Sequence, residues 1–106
     1  MYVQLLTFRV VAGERDDASY FCARAALGLA EFDGYISDTC LTKPGHDTFG
    51  GMIAWRDWTS LDAFRHSELY ARLMMSPYFE GVDDRAFGIA ERQEPVARQA
   101  ELLAVA

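Results

Sequence analysis

Residues Phe49 to Met75, FGGMIAWRDWTSLDAFRHSELYARLMM, constrain the fold of this chain more than any other stretch. A Gly-Gly pair leads into Met52, Ile53, Ala54 and Trp55, which read as a strand. A polar corner at Arg56 and Asp57 follows, then a helix. Thr59 is placed to cap that helix, with Asp62 three residues on as a weak capping box and acidic charge in the first turn. Helical spacing puts Leu61, Phe64, Ala71, Met74 and Met75 on one apolar face, with Ser67 inside it and His66 and Tyr70 at its edge. If the fold contains a pocket, this strand-to-helix unit is its expected wall.

The rest of the chain supplies partners for that unit. Tyr2 to Val11 reads as a strand whose two faces (Val3, Leu5, Thr7 against Tyr2, Gln4, Leu6, Phe8, Val10) are both largely apolar. After a turn at Ala12-Gly13-Glu14, Asp16 or Asp17 caps a helix that runs to about Leu29. Its inner face, Ala18, Phe21, Cys22, Ala25, Ala26 and Leu29, is mostly small. Such a face either lets the helix sit close to a sheet or leaves a cavity beneath it. Tyr35 to Thr42 is the second strand, and Lys43 to Asp47, which holds His46, is a solvated hairpin connection. The third strand, Thr48 to Arg56, enters the second helix, Thr59 to Met75, which Ser76-Pro77 stops. An irregular corner over Tyr78 to Gly81 precedes a fourth strand, Val82 to Glu91. Pro95 ends the domain, giving residues 1–94 as one unit and 95–106 as a tail.

The order is βαββαβ, the ferredoxin-like split motif of the α+β class: a four-stranded antiparallel sheet with two helices on one face. Two helices cover only one side of such a sheet, yet Leu5 stands beside Leu6, Met52 beside Ile53, and Ala54 beside Trp55. An apolar second face needs a partner, and the simplest is a second copy packed sheet to sheet in a C2 homodimer.

Composition removes several function classes. The 106 residues carry a formal charge of −6, and no basic stripe is present, which argues against a nucleic-acid reader. No apolar run approaches the ~20 residues of a membrane span, and the N-terminus lacks the build of a signal peptide, so a cytoplasmic chain is expected. Cys22 and Cys40 lack metal-ligand spacing and read as buried free thiols, with a disulfide the less favoured alternative. Asp16-Asp17 and Asp83-Asp84 read as a helix start and a strand-start turn, so no metal is expected.

Three segments, GYISDTCLT, FGGMIAWRDWTSLDAFRHSELYARL and VDDRAFGIAE, resemble in their order and wording the dimeric α/β-barrel superfamily. The branch most similar is that of small monooxygenase-like proteins related to the antibiotic-biosynthesis monooxygenases. The resemblance spans about residues 1 to 94. It implies a cofactor-independent monooxygenase acting on an electron-rich, polyketide-type aromatic such as a hydroquinone or anthrone, with a ligand between helices and sheet in each subunit. Such chemistry needs a base near neutral pKa and donors for the resulting anion. His66 and Tyr70 are the candidate catalytic residues, and Trp55, Arg56, Phe64, Ser67 and Phe21 the candidate substrate-binding ones. Bland roles compete: His66 in solvent, Tyr70 in the core, Trp55 filling the dimer core, Arg56 in surface ion pairs, Ser67 bonded back to a helix carbonyl. Some relatives carry an Asn–Trp pair on this strand, whereas this chain has no asparagine. A cyclase or isomerase on a similar substrate, and a non-catalytic ligand-binding dimer, are the alternatives.

Overall fold

The computed structural model describes residues 1–42 and 47–90; His46 and the proposed tail lie outside the described residues. The elements run β1 (Tyr2–Val10), α1 (Arg15–Leu29), β2 (Tyr35–Thr42), β3 (Thr48–Trp55), α2 (Trp58–Arg65), α3 (Glu68–Met74) and β4 (Phe79–Gly88). The strands form one sheet in the order β2-β3-β1-β4, with every neighbouring pair antiparallel. This is the ferredoxin-like arrangement, in which each helical crossover leaves a gap that a later or earlier strand fills.

Alternation along β1 sets which side is which. Gln4, Leu6, Phe8 and Val10 are buried while Val3, Leu5 and Thr7 are only half-buried. Pleating then assigns the neighbours: Ile53 and Trp55 on β3 and Asp84 and Ala86 on β4 share the Gln4 side, and Met52, Ala54, Arg85 and Phe87 share the Leu5 side. Leu6, Phe8, Ile53 and Trp55 pack against Leu29 of α1, Leu61 and Phe64 of α2, and Leu73 of α3, forming one core. All three helices therefore lie on one side. The other side shows Leu5 beside exposed Met52, Phe87 and Leu41.

The expected single helix over residues 59–75 is two helices. Asp57, not Thr59, caps the first: its Oδ1 accepts from the Ser60 amide at 2.9 Å and the Ser60 hydroxyl at 2.8 Å. His66 (φ −99°, ψ 6°) closes α2, and Ser67 in extended backbone caps α3, its Oγ accepting from the Tyr70 amide at 3.2 Å. The same hydroxyl donates to Phe64 O at 2.6 Å, so one side chain satisfies groups from both helix ends. Met75, expected on the apolar face, is 83 % exposed because the chain leaves the helix there. In α1, Asp16 and Asp17 lie in the first turn and favour its dipole without capping it; the cap position is Glu14. The corner before β4 is already strand from Phe79.

One glycine holds the entry to β2. Gly34 has φ +83°, and a Cβ there would lie 1.9 Å from Ser60 Oγ. Its carbonyl accepts from the Arg56 amide at 2.7 Å, tying the α1–β2 turn to the end of β3.

Candidate functional site

The small residues of α1 leave a cavity. Its buried side chains are Ala18 and Leu29, close to the two ends of the helix. Between them Ser19, Cys22, Ala25 and Ala26 are too short to reach the sheet and form the roof of a space of about 390 Å³. Leu6, Phe8 and Ile53 are part of its floor, Phe49 and Gly51 line its β3 side, and Asp38, Cys40 and Thr42 stand along its β2 edge. That volume lies within the ~300–1,000 Å³ typical of small-molecule sites. Most of the wall is apolar, and the polar groups come chiefly from β2 and Ser19.

The two glycines of β3 play different parts. A Cβ at Gly50 would lie 2.8 Å from the Leu6 carbonyl, so that residue is held small by packing. At Gly51 the nearest atom would be Thr39 O at 3.9 Å, and the missing side chain opens into the cavity. The register between β1 and β3 is unbroken through both, so neither makes a bulge.

On the other half of the sheet, α2 and α3 cover a partly buried polar chain of five side chains. Trp55 Nε1–H donates to Gln4 Oε1 at 3.1 Å, and Gln4 Nε2 donates onward to Asp84 at 3.1 and 3.2 Å. Arg65 grips the same carboxylate in a fork, Nε to Oδ2 at 3.0 Å and Nη2 to Oδ1 at 2.9 Å, and Tyr70 Oη donates to Oδ2 at 2.6 Å. Burial pushes the Asp84 carboxyl up, but the hydrogen bonds from Arg65, Tyr70 and Gln4 outweigh it and hold Asp84 below the usual carboxylate range. Burial, reinforced by the bond to Asp84, lifts Tyr70 to about 12, so its phenol stays protonated.

The residues singled out from sequence fall in different places. His66 is 76 % exposed at the end of α2, its Nδ1 2.8 Å from Asp62 O. The break at Ser67 separates it from Tyr70, and neither residue lines the cavity. Trp55 is fully buried on the helix side, stacked on Phe64 (centroids 5.4 Å apart) and edge-on to Phe32 and Tyr35, so it does not fill the open sheet face. Phe64 is core, also edge-on to Tyr70. Phe21 packs on Tyr78 and Phe79. Arg56 is held by Asp33 (3.0 Å) and Asp57 (3.1 Å): the Arg56 hydrogen bond lowers Asp33, and Asp57 is lowered to about 2, chiefly by the Ser60 amide. None of Trp55, Phe64, Phe21, Arg56 and Ser67 lines the cavity. Sequence reading missed Gln4, Asp84 and Arg65, and it placed Cys40 in the interior although it is exposed at the cavity rim. Among the described residues no group of three or more His, Cys, Asp or Glu could hold a metal ion, and no helix is long and apolar enough to cross a membrane.

This architecture, a four-stranded antiparallel sheet with its helices on one face, is the fold of the dimeric α/β-barrel proteins to which the antibiotic biosynthesis monooxygenases belong. A protein of Nitrosomonas europaea provisionally named an antibiotic biosynthesis monooxygenase is 14 % identical, covering 86 % of this chain and 100 % of its own, with a TM-score of 0.73. A Mycobacterium tuberculosis protein is likewise 14 % identical, with 88 % and 98 % covered and a TM-score of 0.73. A variant of SnoaB, a cofactor-independent oxygenase from Streptomyces nogalater, is 15 % identical, with 89 % and 98 % covered and a TM-score of 0.70. At such identities the likeness is one of fold. No protein-family model matches the sequence, and no curated protein matches it.

Proposed function

We propose that this chain binds a flat, apolar aromatic metabolite in the cavity under α1 and oxygenates it without a cofactor, as a homodimer. The observation that carries the reading is the cavity itself: about 390 Å³, roofed by small side chains, walled by apolar groups and polar along one rim. A hydroquinone or anthrone would place its rings against Leu6, Phe8 and Ile53 and its hydroxyl or carbonyl toward β2. In such a reaction the substrate anion reduces O2, so the protein must take one proton and shelter the anion. His66 stands outside this cavity, so the reading does not rest on it. Asp38, the carboxylate at the rim, accepts from the Tyr35 hydroxyl through Oδ1 and is the residue we place as proton acceptor. The likeness in fold to a cofactor-independent oxygenase supports this choice of chemistry over cyclisation or isomerisation. The dimer is supported by the open sheet face, where Leu5, Met52, Phe87 and Leu41 await cover.

The test is oxygen uptake with anthrone and with a simple hydroquinone, comparing wild type, Asp38→Asn and His66→Ala. Uptake by wild type and by His66→Ala, but lost in Asp38→Asn, is the expected result. Uptake lost only in His66→Ala would return the base to the helix end. The solvent position of His66 and the exposed position of Asp38 favour one second reading, a non-catalytic carrier of the same ligand; it would show ligand-raised melting temperature and no uptake by any form.

A further inference from the structure

Two thiols face the same cavity from opposite walls. Cys22 lies on the inner stripe of α1, between the anchoring residues Ala18 and Leu29, and Cys40 lies on β2. The residue paired with Cys40 on β3 is Gly51, so no side chain fills the floor beside it. Both cysteines are free, Cys22 half-buried and Cys40 exposed.

We propose that Cys22 and Cys40 form an oxidisable dithiol whose disulfide ties α1 to β2 and shuts the cavity against its ligand. This rests on the ligand-site reading above and adds control of that site by peroxide-class oxidants. A disulfide holds its two Cα atoms roughly 4.4–6.8 Å apart. Walls drawn that close leave no room for an aromatic ring between them. The side chains flanking Cys22 on that stripe, Ser19, Ala25 and Ala26, are small and do not prop the roof off the sheet.

The order of events follows from exposure. Cys40 meets the oxidant first: its thiolate sulfur attacks a peroxide oxygen, an S–O bond forms, the O–O bond breaks, and hydroxide leaves to be protonated to water. The Cys22 sulfur then attacks Sγ of the Cys40 sulfenic acid. An S–S bond forms, the S–O bond breaks, and a second water leaves carrying the Cys22 proton. Two thiols and one hydrogen peroxide give one disulfide and two waters. Burial, and secondarily the neighbouring Cys40, push the Cys22 thiol up to about 11, so Cys22 is not the first target and must surrender its proton as it attacks. A thiol reductant reverses the bond by exchange.

The experiment treats the reduced full chain with equimolar hydrogen peroxide. It follows peptide mapping under non-reducing conditions and binding of the flat fluorescent probe 1-anilinonaphthalene-8-sulfonate. The expected result is a peptide joining Cys22 to Cys40, probe binding weakened at least tenfold, and recovery with dithiothreitol; Cys40→Ser forms no such peptide, and whatever probe affinity it starts with is unchanged by peroxide. Oxidation that stops at sulfenic or sulfinic acid without a cross-link overturns the proposal. So does a cross-linked chain that binds probe as before. A cross-link formed by a chain that binds no probe even when reduced supports the dithiol and sinks the ligand-site reading alone.

Discussion

Gly50 and Gly51 are neighbours, yet the same substitution at each should move stability in opposite directions. At Gly51 a valine adds three carbons pointing into the cavity, with the nearest atom to its Cβ 3.9 Å away. Full burial at ~0.8 kcal/mol per carbon would be worth about 2.4 kcal/mol, and roughly half of that survives in a cavity open on one side. Replacing a strand glycine adds about 0.5–1 kcal/mol more by restricting the unfolded chain. The sum, about 1.7–2.2 kcal/mol, raises the melting temperature by roughly 7–18 °C for a domain of this size. At Gly50 the new Cβ would press on the Leu6 carbonyl from 2.8 Å, and backbone cannot swing aside as a side chain does. There the strand must deform, and we expect a loss of about 1–3 kcal/mol, the usual range for overpacking. Thermal unfolding followed by circular dichroism reads both signs. Ligand binding reads the consequence: Gly51→Val should abolish it in a more stable protein. If Gly51→Val destabilised as Gly50→Val does, the cavity would not be where the packing places it.

Three further outcomes follow from the structure. Arg65→Met should cost about 2–3 kcal/mol, below the ~3–5 of a fully buried pair because the Arg65 and Asp84 side chains are 25 % and 13 % exposed, and adding Asp84→Leu should recover part of it; strict additivity in a double-mutant cycle would show that the pair does not interact. Asp57 titrates at about 2 in the fold against ~3.9 unfolded, so its contribution is complete above pH ~4 and lost as pH falls through about 2; Asp57→Ala should flatten that part of an acid-unfolding curve, and an unchanged curve would remove the cap from the explanation. Phe87→Glu on the open sheet face should convert a dimer to a monomer by light scattering, and a wild type already monomeric at micromolar concentration would leave that face without cover.

Local signals carried most of the fold. Tyr35–Thr42 is the strand that alternation, β-branching and flanking turns mark out, and β1 buries the set Gln4, Leu6, Phe8, Val10 that its period of two separates. Where two residues far apart decide the outcome, the sequence is silent. Whether the small face of α1 packs closely or leaves a void depends on where the helix rests, and Gly28, whose Cβ would lie 3.1 Å from Leu69, lets it lean on α3. Asp84 reads as a turn residue because nothing near it announces Gln4, eighty residues away in sequence, or Tyr70, fourteen away. The helix break at Ser67 was hidden for another reason: apolar periodicity continues across it, and the capping signal Ser67-Glu68 looks like an interruption of a face. His66 and Tyr70, which helical spacing sets at the edge of one face, therefore stand on either side of a helix break.

Gln4 sits where a donor and an acceptor meet it from opposite ends. An indole can only give a hydrogen and a carboxylate can only take one, so the amide of Gln4 has a single permitted orientation. A glutamate at position 4 would set two carboxylates face to face, and a leucine would orphan the Trp55 N–H and remove a donor from Asp84. Positions 4, 55 and 84 therefore form an epistatic triple. Change at any one leaves a donor or acceptor of its neighbour unpaired and calls for a compensating change there.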